Sequence, residues 1–248
     1  MGLGNGRRAC RIDSGDVLEY LFTSPVKGML RQGVDVFDVD GLLGDPGALE
    51  ARIRASLTRG GHAPRSLPPG IRRAGVLLLV VHCAGGAALL FEKRSRTVER
   101  HKGQISLPGG AVEPGESPLQ AALRETWEEI GVRPGDVAVL GQLADEEAVV
   151  SGFALTPFVG TIPYPYALEV SRAEVEAVLE VPLGVLLDPR NVRTETWDRG
   201  GTFKLVHFYS IGPEVIWGAT GRVIAQFLQA VFGVPIPDGA GGHLVRPV

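Results

Sequence analysis

Residues 109–132 read GGAVEPGESPLQAALRETWEEIGV, and this sequence predicts a tight turn followed by one short helix. The residues EPGE at 113–116 suit a type II turn, because proline occupies the second position and glycine the third. Ser117 and Gln120 have the spacing of a capping box, in which two side chains satisfy free backbone N–H groups at the start of a helix. Gly131 is expected to end the helix, because glycine readily adopts the left-handed conformation found there.

The predicted helix carries three carboxylates on one side. Glu125, Glu128 and Glu129 follow an i, i+3, i+4 spacing, which places them on the same helical face. Like charges at this spacing destabilise a helix by about 0.2–0.5 kcal/mol per pair, and negative charge is also unfavourable near a helix C-terminus. A bound cation would reverse both effects, and clustered carboxylate oxygens suit Mg²⁺ or Mn²⁺. A solvated acidic face is the alternative interpretation of the three glutamates taken alone.

The residues around the glutamates favour the metal-binding interpretation. The sequence is similar to the Nudix box, Gly-x5-Glu-x7-Arg-Glu-U-x-Glu-Glu-x-Gly-U, in which U is a bulky aliphatic residue. The matching positions are Gly110, Glu116, Arg124, Glu125, Glu128, Glu129, Gly131 and Val132. Thr126 departs from the pattern at the first U position, but it is β-branched and close to valine in size, so we expect it to pack. The chain therefore resembles a Nudix hydrolase.

This resemblance implies an α/β fold, a Nudix-type α/β/α sandwich with a mixed β-sheet. It also implies hydrolysis of a nucleoside diphosphate linked to another group, with Mg²⁺ or Mn²⁺ as the cofactor. The implied metal ligands are Glu125, Glu128, Glu129 and the carbonyl oxygen of Gly110. The implied catalytic set adds Arg124 and Glu116, which would pair with each other and orient the carboxylates. Whether Glu125 acts as a general base rather than as a ligand is left open.

A cationic segment leads into the box. Residues 90–110 read LFEKRSRTVERHKGQISLPGG, which is similar to the signature Leu-Leu-Thr-x-Arg-(Ser/Ala)-x3-Arg-x3-Gly-x3-Phe-Pro-Gly-Gly of the coenzyme A pyrophosphatase branch of the Nudix family. The matching positions include Arg94, Ser95 and Gly103. The departures are Phe91 for Leu, Glu92 for Thr, Glu99 for Arg and Leu107 for Phe. Arg100 follows Glu99 directly and is placed to supply the missing positive charge.

The signature implies that the enzyme cleaves coenzyme A (CoA) or acyl-CoA to 3′,5′-ADP and (acyl-)4′-phosphopantetheine. Cationic side chains suit such a polyphosphate substrate, and the expected substrate contacts are Arg94, Ser95, Arg100, Lys102 and Gly103. One alternative is a Nudix pyrophosphatase for ADP-ribose, nucleotide sugars or other nucleoside diphosphate derivatives. Another is a non-catalytic Nudix ligand-binding or regulatory module, but a binding module has no need of three clustered carboxylates.

Composition restricts the partners that this chain is expected to bind. The 248 residues include 25 basic and 28 acidic side chains, with a formal net charge of −3, so there is no electrostatic case for a nucleic-acid or anionic-membrane partner. The longest apolar run, residues 74–81, is too short to span a bilayer. The 2 cysteines cannot build a disulfide framework, so we expect a reducing cytoplasm. The expected partner is a small-molecule nucleoside diphosphate, and a homodimer is left open.

We expect an N-terminal extension of unknown role at 1–45, a Nudix hydrolase domain at 46–232 with its core at 74–232, and a C-terminal tail at 233–248. Within the domain, helical patterns occur at 45–57 and at 220–232, with Asp45 and Thr220 as their respective caps. The first of these helices is expected to carry an apolar stripe formed by Leu49, Ile53 and Leu57. Strand patterns occur at 74–82, 87–93, 137–143, 155–162 and 203–211, and residues 145–147 are expected to form an acidic turn. Pro157 predicts that its strand is irregular or lies at an edge.

A few residues outside the box are further candidates for function. Glu146, Glu147 and Glu174 are candidates for an extra metal ligand or a base, with a surface carboxylate as the favoured interpretation of each. Trp217 could stack on adenine, with core packing as the favoured alternative. His207 lies inside a predicted strand, where a structural role is expected.

Overall fold

The computed structural model describes residues 38–58, 67–96, 102–148, 152–199, 202–235 and 243–245. Two helices come first among these, α1 (Val39–Gly44) and α2 (Pro46–Thr58). Asp45 accepts the backbone N–H of Ala48 through its Oδ1 at 3.1 Å and so caps α2 as predicted. The predicted apolar stripe of α2 is buried in the core.

A mixed sheet forms the centre of the molecule. Its strands are β1 (Arg72–Cys83), β2 (Gly86–Arg94), β3 (Ile105–Ser106), β4 (Gly109–Ala111), β5 (Ala138–Gln142), β6 (Glu146–Ala148), β7 (Phe153–Thr161) and β8 (Val175–Pro182). The path β3-β2-β1-β7-β5 is extended by β4 beside β1, β6 beside β7 and β8 beside β2. The pairing of β1 with β7 is parallel and the others are antiparallel, so the predicted mixed sheet is confirmed.

The β1–β2 hairpin opens at the end away from its turn. The two strands pair from Cys83 opposite Gly86 to Leu79 opposite Leu90. Beyond Leu79, β1 pairs with β4 and β2 pairs with β3, so the short segment 105–111 lies between the two separated strands. This arrangement carries the entry to the predicted carboxylate helix into the middle of the sheet.

Helices cover both faces of the sheet. Leu77, Leu79 and Val81 of β1 pack with residues of α3 (Pro118–Ile130) on one face. The alternate residues of β1 pack on the other face with α2 and with α5 (Gly218–Phe232). Because β1 is buried on both sides, its continuous apolar sequence is explained. The layers form the expected α/β/α sandwich.

A second sheet follows the short helix α4 (Leu183–Leu187). The sequence patterns predicted one of its strands, at 203–211, but not the sheet. Its strands are β9 (Val192–Arg199), β10 (Thr202–Ile211), β11 (Glu214–Ile216) and β12 (His243–Val245), in the order β11-β10-β9-β12. Tyr209 and Ile216 join the core beneath α5. Lys93 of β2 donates to Glu214 of β11 at 2.7 Å and so links the two sheets.

Three local predictions are corrected. Helix α5 begins at Gly218, and Trp217 rather than Thr220 stands at its cap position, where it makes no side-chain cap hydrogen bond. Glu146 and Glu147, expected in a turn, belong to β6. Pro157 lies in β7 between β1 and β5, so the edge position is wrong. The predicted irregularity is present instead, because residues 143–145 beside Pro157 leave the ladder. Within the described ranges, no helix is long and apolar enough to cross a membrane.

Candidate active site

Helix α3 is fixed at both ends, which holds its carboxylates in defined positions. Ser117 accepts the N–H of Gln120 at 3.3 Å, and Gln120 accepts the N–H of Ser117 at 2.8 Å, so the predicted capping box is confirmed. Gly131 ends the helix with a φ of 77°, in the left-handed region. The preceding turn closes with Glu116 N–H donating to the Glu113 carbonyl at 3.0 Å.

Arg124 connects the turn to the helix. Its Nε and Nη2 donate to the two carboxylate oxygens of Glu116 at 3.0 and 3.1 Å, and Nη2 also donates to the Ala111 carbonyl at 3.1 Å. Its Nη1 donates to Glu125 at 3.0 Å and to Glu128 at 3.3 Å. The hydrogen bond from Arg124 lowers the pKa of Glu116, so that carboxylate is held in its charged form. One guanidinium thus orients three of the predicted site carboxylates.

Glu129 is the most deeply buried of the three glutamates on the acidic face, with 3% of its surface exposed. Its Oε2 accepts the backbone N–H of Gly109 at 2.9 Å, and its Oε1 lies 3.8 Å from Nη1 of Arg94. Burial raises the pKa of Glu129, and the nearby carboxylate of Glu92 adds to this rise. A cation bound at this position would therefore offset a large cost of keeping the carboxylate charged.

Glu125 lies against the backbone of the preceding strand. A Cβ atom placed on Gly110 would lie 2.4 Å from Cδ of Glu125, so a larger residue at this position would displace the end of the Glu125 side chain. Burial raises the pKa of Glu125, and the hydrogen bond from Arg124 acts in the opposite direction. Glu128 is the most exposed of the three, with 56% of its side chain accessible. The three carboxylates thus range from buried to open along one helical face.

The donor set suits a hard divalent cation, although the described part of the chain holds no group of three Asp, Glu, His or Cys side chains already arranged around a metal position. Arg124 bonds to Glu125 and Glu128, and Glu129 bonds to Gly109. Every candidate ligand atom is an oxygen, as Mg²⁺ and Mn²⁺ prefer. In addition, Oε2 of the neighbouring Glu92 is buried without a hydrogen-bond partner among the described residues. The residues therefore fit the metal that the sequence predicts.

The predicted substrate contacts fall at the end of β2. Arg94 is partly exposed, and its carbonyl accepts the N–H of Gly103 at 3.1 Å, which closes the loop that carries the cationic segment. Ser95 is buried, and its N–H donates to the Glu174 carbonyl at 2.7 Å. Lys102 is exposed, while Arg100 lies outside the described residues. Arg94 is the predicted contact that the structure brings directly to the carboxylates.

The position of Glu92 was not predicted. In the sequence this residue stands out only as a departure from the CoA-type signature, whereas in the structure its side chain is 1% exposed and contacts Glu129. A signal was available, because alternate residues of a strand share a face. Leu90 faces α3, so Glu92 had to point to the same side.

The carboxylates and the tryptophan considered outside the box have different surroundings. Glu174 lies close enough to the site for its charge to add to the effect of burial in raising the pKa of Glu92 and of Glu125. Glu146 accepts from Arg222 at 2.6 Å and so links β6 to α5. Trp217 stacks on Phe208 of the second sheet with ring centroids 6.1 Å apart, and 37% of its surface is exposed.

Comparison with known proteins gives consistent matches. The family model described as the NUDIX domain matches residues 71–193. The uncharacterized Nudix hydrolase NudL of Photorhabdus laumondii is 37% identical over 169 residues, which cover 68% of this chain and 89% of that protein. NudL of Yersinia enterocolitica is 34% identical over 169 residues, covering 68% and 86% of the two chains. Among solved structures, a MutT/nudix family protein from Enterococcus faecalis has a TM-score of 0.46 and 15% identity, covering 77% of this chain and 75% of that chain.

Proposed function

This chain belongs to the Nudix family, and we propose on that premise that it hydrolyses the diphosphate of CoA or acyl-CoA with Mg²⁺ or Mn²⁺ as cofactor. The products would be 3′,5′-ADP and (acyl-)4′-phosphopantetheine. Pyrophosphohydrolysis as the reaction class follows from family membership. The choice of CoA depends on the segment that leads into the box.

The observation that carries the choice is the position of Arg94. This arginine belongs to the CoA-type signature, and its Nη1 lies 3.8 Å from the Glu129 carboxylate. Its side chain is 25% exposed, so it lies at the border between the buried carboxylates and solvent. A guanidinium in this place can bind phosphate oxygens of a substrate whose diphosphate lies over the carboxylates. The bond from Gly103 to the Arg94 carbonyl holds the base of the loop that follows.

The residues of the box would hold the cation and position the substrate. Glu125, Glu128, Glu129 and the Gly110 carbonyl are the proposed ligands, and the bound cation would polarise phosphoryl oxygens and lower the pKa of the attacking water. Arg124 keeps Glu125 and Glu128 oriented through its bonds to both. The N–H of Gly109 does the same for Glu129. A carboxylate near the site, such as Glu125 or Glu174, would accept the proton of the water.

We place this reaction in a reducing cytoplasm, because the 2 cysteines of the sequence cannot build a disulfide framework. The proposed partner is the small-molecule substrate. Whether the protein forms a homodimer would be tested by analytical ultracentrifugation, which measures the mass of the purified protein in solution.

A substrate panel tests the proposal. The purified protein would be incubated with CoA, dephospho-CoA, ADP-ribose and diadenosine polyphosphates under Mg²⁺ and under Mn²⁺, and initial rates compared. We expect the highest kcat/KM with CoA, and dephospho-CoA is the matched control for the 3′-phosphate. Preference for dephospho-CoA, ADP-ribose or a diadenosine polyphosphate over CoA would overturn the CoA assignment and favour the broader pyrophosphatase function. Tight ligand binding without hydrolysis of any diphosphate would favour a regulatory module.

A further inference from the structure

We propose that Glu92 of β2 binds the divalent cation together with Glu129, so that the metal site extends from the box helix onto the central sheet. This inference rests on the metal dependence in the proposed function. It concerns a residue outside the box that the sequence signature does not assign to any role.

The first observation is the environment of the Glu92 carboxylate. One oxygen, Oε1, accepts the hydroxyl of Ser106 at 2.9 Å and lies 3.4 Å from Nη1 of Arg94. The other oxygen, Oε2, is buried and has no hydrogen-bond partner within the part of the chain that the structure describes. Removing a carboxylate oxygen from water without a compensating partner is unfavourable. A ligand for Oε2 would remove this cost.

The second observation is the contact between two buried carboxylates. The side chains of Glu92 and Glu129 meet, and they are 1% and 3% exposed. The guanidinium of Arg94 lies 3.4 Å from Glu92 and 3.8 Å from Glu129, so one guanidinium faces two carboxyl groups. A divalent cation would balance this pair, and carboxylates are the ligands that such cations prefer.

The third observation is that one short segment, residues 106–109, donates a hydrogen bond to each of the two carboxylates. Ser106, at one end, donates to Glu92, and the N–H of Gly109, at the other end, donates to Glu129. Ser106 is itself paired with Glu92 across β2 and β3. Each carboxylate therefore has one oxygen engaged by this segment, which restricts how the remaining oxygens can point. Such second contacts are typical of metal ligands, whose orientation they set.

Two other roles for Glu92 predict different behaviour. A purely structural role through Ser106 and Arg94 predicts that removing the charge destabilises the protein and leaves metal affinity unchanged. A proton shared between the two carboxylates would hold the pair together without any metal. Direct measurement of metal binding, in the absence of substrate, distinguishes both of these roles from the proposed role as a metal ligand.

The experiment is a titration of the full chain with Mn²⁺. Binding would be measured by isothermal titration calorimetry and by the electron paramagnetic resonance signal of free Mn²⁺. The variants are Glu92→Gln, Glu92→Asp and Glu129→Gln, with Glu180→Gln as the matched control. Glu180 is a partly buried carboxylate of β8 that accepts from Tyr164 and lies opposite Leu90 on the neighbouring strand. Thermal unfolding in the presence of a chelator reports the stability of each metal-free variant.

We expect Glu92→Gln to weaken Mn²⁺ binding by at least about 10-fold, since loss of even an indirect partner of a metal ligand costs this much. Its metal-free melting temperature should not fall, because the amide keeps an oxygen for Ser106 and removes one of two adjacent charges. Glu180→Gln should bind Mn²⁺ as the unmodified protein does. Glu92→Asp keeps the carboxylate on a shorter side chain, farther from the proposed metal position, and should bind Mn²⁺ with intermediate affinity.

Unchanged Mn²⁺ affinity in Glu92→Gln, with affinity lost in Glu129→Gln, would overturn this inference and leave the metal dependence of the proposed function intact. Absence of Mn²⁺ binding by the unmodified protein would overturn both. If Glu92→Gln does not fold, unchanged affinity in Glu92→Asp overturns the inference instead.

Discussion

The backbone of Gly110 touches the carboxylate of Glu125: a Cβ atom at position 110 would lie 2.4 Å from Glu125 Cδ and 2.5 Å from its Oε1. Any side chain at this point of β4 would therefore displace the Glu125 carboxylate, whose position the proposed metal contact of the Gly110 carbonyl shares. The contact joins the strand that enters the site to the helix that carries its carboxylates.

The first prediction is that Gly110→Ala reduces kcat/KM by about 100-fold, since a displacement near 1 Å of a catalytic group has this effect. The added methyl group must push the Glu125 side chain away. Steady-state rates with the best diphosphate substrate would measure the loss. Gly115→Ala is not a suitable control because its φ is 85°, whereas Gly135→Ala meets nothing within 4 Å and should retain full activity. Normal rates for Gly110→Ala would contradict the assigned position of Glu125.

The second prediction is that Glu129→Gln abolishes turnover while the fold is preserved. The amide is close in size to the carboxylate and keeps an oxygen for the Gly109 N–H. It removes the charge with which this residue would bind the cation. Turnover would be measured at saturating Mg²⁺ and Mn²⁺, and circular dichroism would check the fold. Near-normal rates would show that the assignment of the metal ligands is wrong.

The third prediction concerns substrate binding by Arg94. Arg94→Ala should lower kcat/KM for CoA by about 10- to 100-fold, because a hydrogen bond to a charged group contributes about 1.5–3 kcal/mol. Arg133→Ala provides the control, since Arg133 is exposed and follows α3 rather than β2. Rates for both variants would be compared with those of the unmodified protein. Equal losses in the two variants would remove the basis for a specific phosphate contact.

The fourth prediction is that Gly75→Ala destabilises the fold. A Cβ atom at this position of β1 would lie 1.8 Å from the carbonyl oxygen of Pro118, and backbone at the start of α3 cannot move aside cheaply. Overpacking of this kind costs about 1–3 kcal/mol. Gly184→Ala, in α4, meets nothing within 4 Å and should not lower stability. Urea unfolding would measure both, and equal midpoints for the two variants would contradict the close packing of α3 on β1.

The fifth prediction is a pH dependence of stability at His207. Burial lowers the pKa of this histidine in the folded protein, and the charge of Arg222 adds to the effect. The folded state therefore binds fewer protons than the unfolded state, so this residue's contribution to stability falls as the pH drops below the ordinary histidine value of about 6.5. Urea midpoints at pH 8 and pH 5.5 would be compared with those of His207→Gln. The variant should lose less stability than the unmodified protein over this interval, and an equal loss would rule out the assigned environment.

Much of the site could be read from short-range patterns. The capping box of Ser117 and Gln120, the end of α3 at Gly131 and the common face of the three glutamates all depend on residues within about one or two helical turns of each other. Strand β1 was equally clear, because a continuous apolar run is typical of a strand buried on both faces. These features were predicted correctly because local geometry alone determines them.

The second sheet and the true start of α5 were not predicted. Strand β10 was predicted at 203–211, but β9, β11 and β12 were not, and β12 joins β9 from a distant part of the chain. Trp217 stands at the cap of α5 without a capping hydrogen bond, so the preference of Thr220 for a cap position misled the prediction. In both cases tertiary packing outweighs the local preference.

The sequence by itself indicated the reaction class, because its resemblance to the Nudix box lies in residues 110–132 and implies pyrophosphohydrolysis. The common face of Glu125, Glu128 and Glu129 follows from the helical repeat and needs no other part of the fold. Only the tertiary structure decided that Arg94 and Glu92 of β2 meet Glu129 of α3. This contact depends on the separation of β1 and β2 around residues 105–111. It is fixed by the register of strands that lie far from α3 in the sequence. Contacts of this kind arise from packing and strand pairing, which a linear motif does not encode.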